Sequence, residues 1–312
     1  MDYVLGVDGG GTKTLARITD IKGNTVSESL AGSGNFKSVG KETAIKNIEK
    51  VVTESIEKIS SLEGFSFSNA CFGLSGLDSP KDEKTYLDLI NASRIPQFLK
   101  KEILICNDSK IGLLAGSDEK NAIMIICGTG SNCYGINEHG EEAKANGWDY
   151  ILGDEGSGFS IGLKALRSVM RHYDGRGSST LLSDNLLKEL ELDDIPELIE
   201  WTYQEPFGVD RFAALARIVC RTAAEGDKRC KDILSEEAHE ASLTVGTVVK
   251  KLGLEKKKFD LVLVGSVFRC EKFFKDVFEK KLKDRFDEVC FKPLTEKPVK
   301  GAIKLALNNS NI

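Results

Sequence analysis

A carboxylate, three glycines, a hydroxyl and a cation follow one another near the start of the chain, as Asp8-Gly9-Gly10-Gly11-Thr12-Lys13. Glycines supply the positive φ values of a tight turn and expose backbone N–H groups with no Cβ in the way. Beside them Thr12 adds a hydroxyl and Lys13 a positive charge, a donor set that suits a polyphosphate. Asp8, at the tip of the preceding apolar run, is placed to face that phosphate's metal ion, Mg2+, through water. A glycine-rich hairpin that binds nothing fits the stretch equally well. Two other phosphate loops are excluded by residue order. Gly6 and Gly11 have P-loop separation, but Thr12-Lys13 inverts the required pair and a strand pattern follows instead of a helix. The dinucleotide fingerprint needs glycine where Thr14 stands.

Three further stretches carry chemistry. Asp108 lies where a strand pattern ends and a helix pattern begins, the place where ligands collect in α/β sheets, and also where a plain helix cap would sit. Gly128-Thr129-Gly130-Ser131-Asn132 repeats the strand, glycine, hydroxyl, strand order of the first turn. Asn146 to Gly158 gathers glycines, serine, the carboxylates Asp149, Asp154 and Glu155, and the rings of Trp148 and Tyr150. That is poor core material and good sugar-binding material, since carboxylates accept from hydroxyls and a ring packs on the C–H face of a pyranose. An ordinary polar loop ahead of a helix, capped by Asp154 or Ser157, is the alternative. Gly265-Ser266-Val267 makes a third glycine turn.

The elements that must position these residues are legible as periods. Tyr3–Val7 and Leu15–Asp20 flank the first turn as a hairpin, and Thr25–Leu30 reads as a third strand. Ile45, Ile48, Val52, Ile56 and Ile59 predict an amphipathic helix over 41–60. Strands are expected at 70–75, 102–106, 122–127, 133–136, 260–264 and 289–292, with helices at 81–93, 159–169, 271–284 and 299–308. Short helices are expected through 181–225. Leu234, Ala238, Ala241, Val245, Val248 and Leu252 form a core-facing stripe that Gly253 ends. The repeated glycine turn implies two similar halves.

Composition limits the function classes. With 312 residues, 41% apolar and 29% charged, the chain has the make-up of an ordinary globule long enough for two domains. A net charge of −5 with no basic stripe argues against nucleic acid. No apolar run reaches the ~20 residues of a membrane span, so a cytoplasmic protein with no membrane partner is expected. The eight cysteines lack Cys-Xaa-Xaa-Cys spacing and read as buried thiols. Ser75 narrowly misses a nucleophile elbow, because Leu77 replaces its last glycine.

Taken in order, Asp8–Thr14, Asn107-Asp108, Cys127–Cys133 and Gly147–Ser157 resemble the N-acetylglucosamine kinase group of the BadF/BadG/BcrA/BcrD ATPases, in the actin-like ATPase superfamily. The resemblance implies an α/β fold of two actin-like, ribonuclease H-like domains around a central cleft, residues 1–117 with 299–312 and residues 118–298. It implies an ATP-dependent kinase for a small amino sugar, most directly N-acetylglucosamine, with N-acetylmuramate also considered. Asp108 then matches the catalytic base. Gly9, Gly10, Gly11, Thr12 and Lys13 match one phosphate loop, Gly128, Thr129 and Gly130 the other, and Gly265 and Ser266 the adenosine motif. Asn35, Asp108, Thr129, Gly147, Trp148, Asp149 and Asp154 fall at the sugar. Asp149 departs from the glycine expected after the tryptophan. Glucosamine kinase is the alternative, followed by an ATPase activator of a 2-hydroxyacyl-CoA dehydratase, for which the cysteines lack a cluster arrangement. Oligomeric state is left open, a homodimer included.

Overall fold

Alternating side chains place strand β1 (Tyr3–Gly9) between two apolar layers, Leu5 and Val7 in one and Val4 in the other. The computed structural model to which it belongs describes residues 2–101 and 103–308. By contact the chain divides into two units, Met1–Asp118 with Leu294–Ile312, and Glu119–Pro293.

In the first unit β1 pairs antiparallel with β2 (Lys13–Asp20), which pairs antiparallel with β3 (Thr25–Gly32). On its other side β1 pairs in parallel with β4 (Phe67–Leu74), and β4 with β5 (Leu104–Asn107), giving the order β3-β2-β1-β4-β5. The strand expected from 102 begins at Leu104, and Glu102 lies outside the described residues. The unit's helices are α1 (Phe36–Val39), α2 (Lys41–Glu57), α3 (Pro80–Asn91) and α4 (Asp108–Gly116). The α2 stripe of Ala44, Ile48, Val51, Val52 and Ile56 is buried, and from Ile48 on it joins the layer that holds Leu5 and Val7.

The second unit repeats this topology. Strands β6 (Ala122–Cys127), β7 (Ser131–Ile136) and β8 (Glu142–Asn146) are successive antiparallel neighbours, while β9 (Phe259–Val264) and β10 (Val289–Pro293) add in parallel on the other side of β6. Strand β8 had no sequence signal, because its Ala-Lys-Ala pattern is weak strand material held by pairing with β7. The helices are α5 (Asp149–Leu152), α6 (Gly158–Tyr173), α7 (Leu182–Leu190), α8 (Glu197–Tyr203), α9 (Val209–Ala224), α10 (Lys228–Lys251) and α11 (Asp276–Lys283), the last preceded by a π turn at Glu271–Lys275. Where only short helices were expected, α9 runs for 16 residues. It packs closely on α6, since a Cβ at Gly162 would lie 2.0 Å from the Phe212 carbonyl oxygen.

The buried-thiol expectation fails at one pair. Cys220 on α9 and Cys270 form a disulfide across 50 residues, a juxtaposition made by packing that spacing does not encode. Cys71, Cys127, Cys133 and Cys230 are buried free thiols. Among the described residues no helix is long and apolar enough to cross a membrane.

Helix α12 (Val299–Asn308) returns to the first unit, where Ala302, Ile303 and Ala306 close over Val4, Cys71 and Ile111. Gly301 is required there, because a Cβ would sit 1.9 Å from the Ile111 carbonyl oxygen of α4. Gly301→Ala should therefore destabilise the protein by about 1–3 kcal/mol, the usual cost of forcing atoms into a closed contact. Denaturant unfolding measures it, and an unchanged midpoint would mean that α12 does not bear on α4 this way.

Candidate active site

The β1–β2 hairpin turns with only one of the two properties expected of its glycines. None of Gly9, Gly10 and Gly11 adopts a positive φ. Gly9 is needed for close approach, since a Cβ would lie 2.6 Å from Leu74 Cδ2 at the end of β4. The Gly10 N–H donates to the Lys13 carbonyl at 2.9 Å, and the Gly10 carbonyl accepts from the Gly34 N–H at 3.2 Å and the Ser33 hydroxyl at 3.2 Å. Gly11, Thr12 and Lys13 are exposed, with open space around Gly11. Thr14 is buried with its hydroxyl committed to the Gly32 carbonyl at 2.8 Å, so it stays with the sheet.

Asp8 is the penultimate residue of β1 and Asp108 opens α4, and the two are near enough to interact electrically. Burial first, then the Asp108 charge, push the Asp8 carboxyl up to about 6, with Lys13 pulling the other way. The capping alternative for Asp108 is taken by its neighbour. Asn107 Oδ1 accepts the Ser109 N–H at 2.9 Å and Asn107 Nδ2 donates to the Leu77 carbonyl at 3.0 Å. Asn and Asp cap equally well, so the sequence Asn107-Asp108 could not say which does so. Asn35 caps α1 through the Lys37 N–H at 2.9 Å and donates to the Ser75 hydroxyl at 3.2 Å. Gly76, at φ +81°, leaves room for the Asn35 amide, which a Cβ would meet at 2.6 Å. The first unit thus gathers Asp8, the 9–13 turn and Asp108.

The second unit fuses its three glycine-bearing segments. A Cβ at Gly265, where φ is +112°, would lie 2.2 Å from the Cys127 carbonyl oxygen, so the third turn lies directly on the second. A Cβ at Gly130 would lie 2.6 Å from Asp154 Oδ2. The Gly158 and Phe159 N–H groups donate to the Gly128 and Thr129 carbonyls at 2.7 and 3.2 Å, and Ser157 caps α6. Asp154 is buried and held above the usual carboxylate range, first by that burial and then by the charges of Asp149 and Glu155, against a lowering bond from the Ser131 amide. Asp149 (φ 71°) and Gly147 (φ 75°) are both left-handed, and Trp148 is 63% exposed with the Lys144 ammonium 5.6 Å from its ring centroid.

Several neighbours of these turns had no sequence signal. The Thr129 hydroxyl, expected to face a ligand, donates to Asp210 Oδ1 of α9 at 2.9 Å. Ser266 borders a cavity of about 540 Å³ lined also by Ile161, Ala213, Arg217, Arg221 and the Cys220–Cys270 pair. Arg217 and Arg221 both hold Glu189, at 2.8 and 3.0 Å. Asp210, Ala213, Arg217, Cys220 and Arg221 share α9, whose place beside the turns is set by packing. Among the described residues no cluster of histidine, cysteine and carboxylate ligands could hold a metal by itself.

The raised Asp8 value has a testable sign. Because it lies above the ordinary 3.8, folding favours the protonated acid, a contribution fully present below 3.8 and lost as pH rises through about 6. Asp8→Asn should therefore raise the thermal midpoint at pH 8 by a few degrees, the scale on which ~1 kcal/mol acts, and leave it nearly unchanged at pH 4. Calorimetry at the two pH values checks this, and an equal shift at both would remove the charge from the explanation.

Comparison with known proteins bears on the whole chain. It is 34% identical over 307 residues to an N-acetylmuramic acid/N-acetylglucosamine kinase of Clostridium acetobutylicum, covering 98% of each. It is 33% identical over 320 residues to an N-acetyl-D-glucosamine kinase of Dictyostelium discoideum, covering 99% of this chain and 98% of that one. A crystal structure of a candidate N-acetylglucosamine kinase from Chromobacterium violaceum superposes with a TM-score of 0.75 at 21% identity, over 98% of this chain and 99% of the other. That likeness shows the fold, two α/β units each built on a five-stranded sheet. The BadF/BadG/BcrA/BcrD ATPase family model matches residues 5–305, and on these grounds the chain belongs to that family.

Proposed function

We propose that this protein transfers the γ-phosphoryl group of ATP to a hydroxyl of an amino sugar, with N-acetylglucosamine the preferred acceptor. The observation that carries the reading is the Asp8–Asp108 pair beside Lys13: two carboxylates in electrical contact, one of them relieved of capping by Asn107. The names of the two full-length relatives point to the same acceptor class.

Phosphoryl transfer asks a protein mainly for positioning and charge neutralisation. The Gly9–Gly11 turn, whose Gly10 N–H is already committed to the Lys13 carbonyl, holds phosphate oxygens in this scheme through the exposed Gly11 backbone, Thr12 and Lys13, and the Gly128–Gly130 turn holds others. The adenosine part is assigned to Gly265, Ser266 and the cavity behind them. Asp8 suits a cation, since an ionised carboxylate that burial and Asp108 disfavour gains from a nearby positive charge. Magnesium there would supply neutralisation of the charge on the transferred group. Asp108 takes the proton from the attacking sugar hydroxyl. Asn35, Gly147, Trp148, Asp149 and Asp154 are assigned to the sugar, with carboxylates accepting from hydroxyls and the exposed tryptophan face offering an apolar wall to the N-acetyl methyl.

Asp108→Asn keeps size and hydrogen bonding but removes the base. It should lower kcat by ~10²–10⁴-fold while the KM values for ATP and sugar stay within a few-fold. An undiminished kcat would leave Asp108 without this role. Glucosamine would offer Asp149 an ammonium, yet the relatives' acceptors outweigh one carboxylate. N-acetylglucosamine should therefore show kcat/KM at least ~10-fold above glucosamine, the scale of one well-made contact. N-acetylmuramate depends on whether its lactyl carboxylate meets Asp149. Parallel ADP-release kinetics on the three sugars decides this, and a preference for glucosamine would sink the N-acetyl assignment.

A further inference from the structure

Helix α10 carries a carboxylate inside its apolar stripe. Glu237 lies three residues after Leu234 and four before Ala241, and it is 0% exposed. Its Oε2 accepts the Gly156 N–H at 2.6 Å, and its Oε1 accepts the Ser160 hydroxyl at 2.8 Å and pairs with the Lys164 ammonium at 2.9 Å. All three partners belong to one continuous stretch, the end of the Asp154 loop and the first turns of α6. Burying an ionised carboxylate is costly unless such partners surround it, so the carboxylate and the loop hold each other in place. None of the phosphate chemistry above uses it.

The loop has need of a clamp. Asp154 sits at φ 65° and Gly156 at φ 84°, a backbone path that a non-glycine residue at 154 keeps only when its surroundings impose it. Asn146 holds the other side, its Oδ1 accepting the Asp154 N–H at 2.8 Å and its Nδ2 donating to the Glu155 carbonyl at 3.1 Å. A Cβ at Gly156 would press on Ala241 of α10 at 3.0 Å, which leaves the loop no slack toward that helix.

We propose that Glu237 is a positioning residue for the acceptor sugar, fixing the Gly156 amide so that the Asp154 carboxylate is presented in one orientation. This rests on the amino-sugar reading of the Asp154 loop. The carboxylate touches no reacting atom. It acts through backbone geometry, and a displacement on the order of 1 Å at that distance can cost ~10²-fold.

Glu237→Gln keeps shape but offers one acceptor oxygen where two serve three donors. The apparent KM for N-acetylglucosamine should rise ~10-fold or more while that for ATP changes less than ~3-fold, a split that general destabilisation does not produce. Amide exchange, read by mass spectrometry without sugar, should quicken over 153–157 and not across β6 and β9. Should this variant fail to fold, Ser160→Ala removes one donor and leaves the Gly156 bond, and a sugar-selective KM rise of about 2-fold or more is expected from it. Equal KM rises for both substrates with a lowered melting point, or no change in sugar KM, would overturn the positioning role. A wild type inert toward all three amino sugars would instead overturn the proposed function, and the acceptor role with it, which separates the two failures.

Discussion

At Gly265 two stretches of backbone lie so close that a single Cβ would stand 2.2 Å from the Cys127 carbonyl oxygen. The exit of β9 therefore rests on the exit of β6, and the second unit's glycine turns form one body. The same body extends sideways, because Gly128 and Thr129 carbonyls cap the first N–H groups of α6 and Gly130 makes room for Asp154. At Gly265, where backbone meets backbone, only glycine permits the approach. A turn assigned to phosphate and a loop assigned to sugar are in this way joined by main-chain hydrogen bonds, so displacing one displaces the other.

The first unit works by charge more than by close approach. Asp8, Asp108 and Lys13 form a cluster in which burial and like charge raise Asp8 and the lysine opposes them. Such a cluster is unfavourable for folding at neutral pH and favourable for a cation bridging to phosphate. The two-strand pairing Asp8↔Leu15 fixes its geometry, and β5 brings Asp108 beside it through the β4 register Leu74↔Asn107. The role proposed for this cluster comes at a cost in local stability, a pattern common where titratable groups are driven from their ordinary values.

Much of this was legible in the sequence. Periods of two and of three to four residues marked most strands and helices, and the repeated glycine turn announced the two matching sheets. At 9–11 the positive φ expected of the glycines is absent, and it is the missing Cβ that matters at Gly9, which lies against Leu74. Other features were hidden for physical reasons. Strand β8 is held by pairing, Thr129 meets Asp210 across 81 residues, and the Cys220–Cys270 bond depends on how α9 packs. Glu237 left a trace, a carboxylate on the buried face of a strongly patterned helix, whose meaning needed the loop that folds over it.

The proposed function turns on the fate of one phosphoryl group. Incubating the protein with γ-labelled ATP, magnesium and N-acetylglucosamine, and following the label by phosphorus NMR, observes that fate directly. Label appearing in a sugar phosphate ester, in step with ADP and dependent on the sugar, is the predicted result. Label released as inorganic phosphate at the same rate with or without sugar would contradict it.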